Sequence, residues 1–203
     1  MSGASNTYKS SVNIATPAVL NYDGPDESAA YQFQIIANAL ATLNQSLGNA
    51  ISSVKKCAQI VSAATGALMT GATVIPYDNT IPQITEGNEY LTATITPQNA
   101  ASILEIDVVI EFCSSVSNNL IAALFQDATA NALKATSTWM QTATGAVVLT
   151  FKHIMVAGTV AATTFRLRAG GASAGTTTVN GWNAGGSFGG TQVTSITIKE
   201  WLP

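Results

Sequence analysis

Charge is what this sequence has least of. Lys and Arg number 8 and Asp and Glu 11, so 9% of residues are charged, against roughly 25% in an ordinary globular chain. So few basic residues, with a net charge of −3, exclude the clustered basic footprint of a nucleic-acid binder. The Lys55–Lys56 pair is too small to supply one. Metal ligands are equally sparse. There is one histidine, His153, and two cysteines, Cys57 and Cys113, lie far apart with no CxxC spacing. No metal, cofactor or disulfide is expected. No apolar run nears the ~20 residues of a membrane span, so no membrane insertion is expected. The opening stretch MSGASNTYKSSVNIATPAVLNYDG lacks the apolar core of a secretory signal, which predicts synthesis in a cytoplasm without export by the usual route.

What fills the space left by charge is Thr, Ser, Asn, Gln and Gly beside a 47% hydrophobic share. That usage suits β structure and subunits that cover one another. Between Ser28 and Val54 no charged residue occurs, yet apolar residues recur on a strict rhythm: Ala29, Phe33, Ile36, Leu40, Leu43, Leu47, Ala50, Val54, Cys57 and Val61. The alternating steps of four and three are a 3.5-residue period, the signature of a left-handed coiled coil. Pro25, Asp26 and Glu27 suit a helix start and Lys55 and Lys56 a helix end. The spacing therefore predicts a long coiled-coil helix over residues 25–65, its stripe covered by identical chains because an exposed stripe of that length is rarely tolerated. The stripe alone leaves dimer and trimer both open.

Beyond a Gly/Pro/Thr-rich hinge and edge strand at 66–80, the period changes to two. ILEIDVVIEF places Leu104, Ile106, Val108, Ile110 and Phe112 on one face and Glu105, Asp107 and Glu111 on the other. TTFRLRAG alternates likewise, and Arg166 and Arg168 are the expected cross-strand partners of Glu105 and Asp107. About eight such runs separated by turn signals over residues 81–203 predict a mainly β fold, a jelly-roll-like antiparallel β-sandwich head.

Catalytic constellations are weak. His153 falls in VVLTFKHIMV on the same face as Leu149 and Phe151, which predicts a packed histidine, and one histidine makes no triad. The glycine-rich GGASAG and NAGGSFGG lack the lysine and strand–loop–helix context of a phosphate cradle. The chain is therefore expected not to be an enzyme. Aromatic residues in loops are better candidates. Trp139, Gln141, Trp182, Asn183 and Phe188 form the expected receptor-contact set, since rings beside amide side chains suit carbohydrate faces. The same rings could instead seal subunit contacts.

The blocks YDNTIPQITEGNEYLTATITPQNAASILEIDVVIEF, AALFQDATANAL, FKHIMVAGTVAATTFRLRAGGASAGTTTVNGW and FGGTQVTSITIKEW, spanning about residues 76–201, resemble a C-terminal β-sandwich domain recurrent in tailed-bacteriophage tail-fibre and virion-appendage proteins. The resemblance implies a homotrimeric tip, location in the virion, and a head that contacts a host surface receptor. It makes residues 1–24 an expected docking segment for other virion proteins. A purely structural virion part, such as a head fibre, decoration or baseplate piece, is the alternative.

Overall fold

The computed structural model describes residues 29–53, 56–182 and 185–203. The chain divides into two compact units, Met1–Val54 and Lys55–Pro203.

In the first unit, α1 spans Ala29–Ser53, about 37 Å at 1.5 Å per residue. Its Ala, Leu and Gln residues are good helix formers. Gln34 Nε2 donates to Asn38 Oδ1 at 3.0 Å, one turn apart on the surface. The apolar stripe is solvent-facing in the single chain: Phe33 is 71% and Leu47 56% exposed, with Ile36, Leu40, Leu43 and Ile51 in the same state. Ala50 also lies on the exposed side. No helix among the described residues is long and apolar enough to cross a membrane.

The long coiled coil is corrected. The helix has 25 residues, and the 3.5-residue rhythm beyond it belongs to a strand. Val54 and the docking segment 1–24 lie outside the described residues. Cys57 and Val61 sit in β1, Cys57–Thr65. This strand forms because the last strand of the chain needs an edge partner: Val61 opposes Ile198 and Ala63 opposes Ile196, and both join the core. Burying those side chains outweighs any local leaning toward helix, since tertiary packing routinely overrides propensity.

The second unit holds two large antiparallel sheets and one two-stranded hairpin. After β1 come β2 (Met69–Gly71), β3 (Asn88–Ile95), β4 (Ile103–Ser114), β5 (Asn118–Gln126), β6 (Lys134–Met140), β7 (Val147–Val156), β8 (Thr163–Gly171) and β9 (Thr177–Val179). A short hairpin, β10 (Gly181–Trp182) and β11 (Gly185–Gly186), and a single 3-10 turn (Phe188–Gly190) precede β12 (Thr194–Trp201). One sheet runs β1-β12-β4, with β7 on the other edge of β4; the second runs β3-β8-β5-β6. Neighbours far apart in sequence, β1 with β12 and β3 with β8, tie both antiparallel sheets together through non-local pairing. Beyond the end of β12, β9 continues along β4 through Phe112↔Val179, and β2 pairs with β9.

Alternation builds the core. Leu104, Ile106, Val108, Ile110 and Phe112 of β4, with Ile196 and Ile198 of β12, meet Phe165 and Leu167 of β8 and Leu120 and Leu124 of β5, all at or near zero exposure. Each large side chain so buried contributes about 1.5–3 kcal/mol. Strand β5 is buried on its other face too. Ile121, Ala123 and Phe125 pack with Ile75, a residue of the 66–80 stretch that is tied down by its amide, which donates to the Gly171 carbonyl at 3.1 Å. His153 lies opposite Ile106 on the core side of β7, half-buried, and burial with the nearby Lys134 charge holds its pKa below the usual value.

The expected ion pairs are redistributed. Glu105 and Asp107 face outward on β4 and pair with Lys152 of β7 at 2.7 and 3.4 Å and with Lys199 of β12 at 3.1 Å each. Arg166 and Arg168 belong to the other sheet and meet Glu89 of β3. Strand order, invisible in alternation alone, decides this: β4 has β12 and β7 as neighbours, never β8.

Candidate functional site

An open hollow of about 470 Å³ lies at one end of the sandwich. Three segments build it: the end of β4 at Glu111, the β6–β7 turn at Thr142–Ala146, and the excursion between β9 and β12 with Trp182, Ser187 and Phe188.

The excursion is held at its root by Asn180, which is fully buried. Its amide nitrogen Nδ2 donates to the carbonyls of Thr65 and Ala67 at 2.8 and 3.1 Å. Its backbone N–H donates to the Glu111 carbonyl at 3.1 Å. Asn180 has φ 55°, a left-handed conformation that asparagine tolerates better than most residues. A second close approach pins the far side. A Cβ on Gly66, just past β1, would overlap the Gly190 carbonyl oxygen, so only glycine fits there. The opposite wall is tied to the sandwich by the Thr144 amide, which donates to the Ser114 carbonyl at 2.8 Å.

On this frame the rings stand in solvent, Trp182 at 60% and Phe188 at 80% exposure. Backbone strain gathers around them. Of the four non-glycine residues with positive φ among those described, Thr144, Asn180 and Phe188 flank the cavity, and such strain persists only where the surroundings impose it. Beneath the rings lies Glu111. Its place on β4 gives it the parity of Glu105 and Asp107, yet it is only 6% exposed, and the Asn180 amide donates to its carbonyl. Burial raises its pKa, and the neighbouring Gln192 side chain opposes that rise without cancelling it. Its Oε2, like Gln192 Oε1, has no hydrogen-bond partner.

Of the residues expected from sequence, Trp182 and Phe188 come together at this cavity. Trp139 and Gln141 line an adjoining hollow of about 310 Å³ that shares Thr142, Gly145 and Ala146 with it, so both sets flank one turn. Asn183 lies outside the described residues. Sequence reasoning missed Glu111 and Gln192. The signal available was the length of NGWNAGGSFGG, enough chain to fold over a neighbouring strand end. Both cysteines are free thiols; Cys113 is buried, with its Sγ 3.6 Å from the Gly181 carbonyl. Among the described residues no group of three His, Cys, Asp or Glu side chains could hold a metal.

Fold and site together define a mainly β, antiparallel sandwich with a loop-built, aromatic-walled hollow at one end. The family model of the Pgp3 C-terminal domain, named for a Chlamydia virulence plasmid protein, matches residues 69–203, and the chain belongs to that family. No curated protein matches the sequence. Similar solved structures include an Eiger TNF from S. frugiperda, with 10% identity and TM-score 0.40 over 70% of this chain and 92% of that one. The C-terminal domain of EclA, a sugar-binding protein, has 16% identity and TM-score 0.32 over 58% of this chain and 76% of its own. The VP2 subviral particle of infectious bursal disease virus has 12% identity and TM-score 0.32 over 71% and 38%.

The family assignment corrects the expectation of a bacteriophage tail-fibre or virion-appendage domain. The alternation of strands and glycine-rich turns that carried that resemblance is common to many sandwiches and does not distinguish their families. The virion location, the docking of residues 1–24 to other virion proteins and the structural virion alternative are withdrawn with it.

Proposed function

We propose that the chain is a non-catalytic recognition protein that works as a homo-oligomer, with α1 joining copies and the aromatic end of each sandwich meeting a carbohydrate ligand. The observation that carries this reading is the exposure of Trp182 and Phe188 over a cavity whose walls are braced by strained backbone. Rigid rings held in water present apolar area at little entropic cost, which is how binding surfaces use them. The non-catalytic part is supported by the occupation of the carboxylate pairs. Glu105 and Asp107 are held by Lys152 and Lys199, and Glu89 by Arg166. Glu200 is held by Gln59 and the amides of Gln98 and Asn99.

Self-association is supported by the 3.5-residue stripe of α1, which two or three parallel copies would bury; a trimer is the state proposed. Several copies would also let weak single contacts hold. The test is a double variant, Trp182→Ala with Phe188→Ala, assayed by sedimentation and by binding to immobilised saccharides. Loss of binding with the oligomer intact supports recognition. Loss of the oligomer would assign the rings to subunit packing and overturn the proposal.

A further inference from the structure

We propose that the cavity over Glu111 is an amino-sugar site, in which the Glu111 carboxylate receives the ligand's ammonium group and Trp182 and Phe188 receive its C–H face. The inference rests on the preceding reading of this end as a recognition surface, and it adds which chemistry is recognised.

Three observations point to a cationic group. Glu111 is more than nine-tenths buried, and its Oε2 accepts no hydrogen bond. A buried carboxylate normally has a cation or a full set of donors. The protein does not supply the cation: among the described residues Lys152 and Lys199 are engaged with Glu105 and Asp107, Arg166 and Arg168 with Glu89, and neither Lys56 nor Lys134 forms an ion pair with Glu111 or lines the cavity. No basic side chain lines the cavity. Gln192, a neighbour of Glu111, leaves its own Oε1 without a donor. Glu111, the one acidic residue lining the cavity, therefore holds an acceptor that no donor of the protein satisfies, which fits an ammonium group.

The walls specify what carries the ammonium. Two exposed aromatic faces attract cations and also stack on apolar C–H surfaces. Thr142, Thr144 and Ser187, whose residues line the same space, offer hydroxyl partners for hydroxyls on a ligand. An ammonium, a C–H face and a ring of hydroxyls occur together in a hexosamine. A neutral sugar would leave the Glu111 charge uncompensated.

The test uses the full chain and a matched pair of probes, glucosamine and N-acetylglucosamine, which share a ring and differ in the charge at one nitrogen. Tryptophan fluorescence reports binding, with sodium chloride matching the ionic strength. Glucosamine is expected to give a saturable change that Trp182→Ala abolishes. Glu111→Gln, which keeps shape and removes charge, should weaken it about tenfold or more. Far-ultraviolet circular dichroism establishes that both variants keep the sandwich. Saturable binding of N-acetylglucosamine that equals or exceeds glucosamine and ignores Glu111→Gln would overturn the ammonium assignment and leave a neutral-saccharide surface standing. Absence of any saturable response to either sugar would overturn the amino-sugar site; if immobilised saccharides also fail to bind, the recognition reading falls with it.

Discussion

Asn180 Oδ1 accepts a hydrogen bond from the Thr194 hydroxyl at 2.8 Å, and both residues are fully buried. The bond joins the first residue of the excursion to the first residue of β12, so the loop that walls the cavity is closed at its neck by one side-chain pair. Asn180 also donates to the Thr65 and Ala67 carbonyls. Removing it takes a partner from the buried Thr194 hydroxyl and from the carbonyls of half-buried Thr65 and exposed Ala67, with about 1–3 kcal/mol at stake for the buried group left unpaired. Asn180→Ala adds the strain of a left-handed alanine, whereas Asn180→Gly keeps the backbone conformation. Chemical denaturation should rank the chains wild type, glycine variant, alanine variant, with the alanine variant lowest.

Two buried glutamates give opposite pH signatures. At Glu200 burial would raise the pKa, but hydrogen bonds from Gln59 and the amides of Gln98 and Asn99 outweigh it and hold the carboxyl below its usual value. A depressed folded pKa contributes stability that is present above the unfolded value, roughly 4.3, and lost as pH falls through the folded one. Glu200→Gln should therefore cost about 1–3 kcal/mol at neutral pH and progressively less in acid. Glu111 carries the reverse sign, its pKa raised mainly by burial. Its contribution is favourable when protonated and declines as pH rises from the unfolded value through the folded one. Glu111→Gln should raise the midpoint of thermal unfolding at neutral pH and leave it nearly unchanged in acid. Melting curves across the acid range check both.

The helix stripe can be tested without touching the sandwich. Leu40→Glu with Leu43→Glu places two charges on the apolar side of α1, where a shared seam would bury them at high cost. Sedimentation should shift to a single chain, and the β signal in circular dichroism should stay as it is. An unchanged oligomer in this variant would move the association surface to the sandwich.

Much of the β architecture is legible in the sequence because strands with one buried face must alternate. The runs at Leu104–Phe112 and Phe165–Leu167 face inward as their period implies. Legibility fails where two rules coincide. Val61 satisfies a 3.5-residue period counted from Phe33 and a two-residue period shared with Ala63, and only the pairing with Ile198 decides between them. It fails again where the deciding contact is remote. Glu111 follows the parity of Glu105 and Asp107, and nothing local to it shows that Asn180 will bond to its carbonyl and that Gln192 will neighbour its side chain. Trp182 and Phe188 were identifiable as candidates because large rings stand out in a glycine-rich loop, but their shared cavity depends on the Thr142–Ala146 turn about 40 residues earlier in the chain.

Two glycines separate backbone fit from helix propensity. At Gly66 a Cβ would strike the backbone of Gly190, both its carbonyl oxygen and its carbonyl carbon. Gly190 itself has φ 84°, in the left-handed region that glycine occupies freely. Gly66→Ala should displace the Phe188 wall, lower stability by about 1–3 kcal/mol as overpacking does, and shift tryptophan emission as Trp182 changes surroundings. Gly48 offers the contrast, since a Cβ there meets nothing within 4 Å on the exposed helix. Gly48→Ala should stabilise α1 by about 1 kcal/mol and raise the helical signal while leaving tryptophan emission unchanged. A Gly66→Ala chain with native emission and native unfolding midpoint would show that the excursion is not seated against β1 as described.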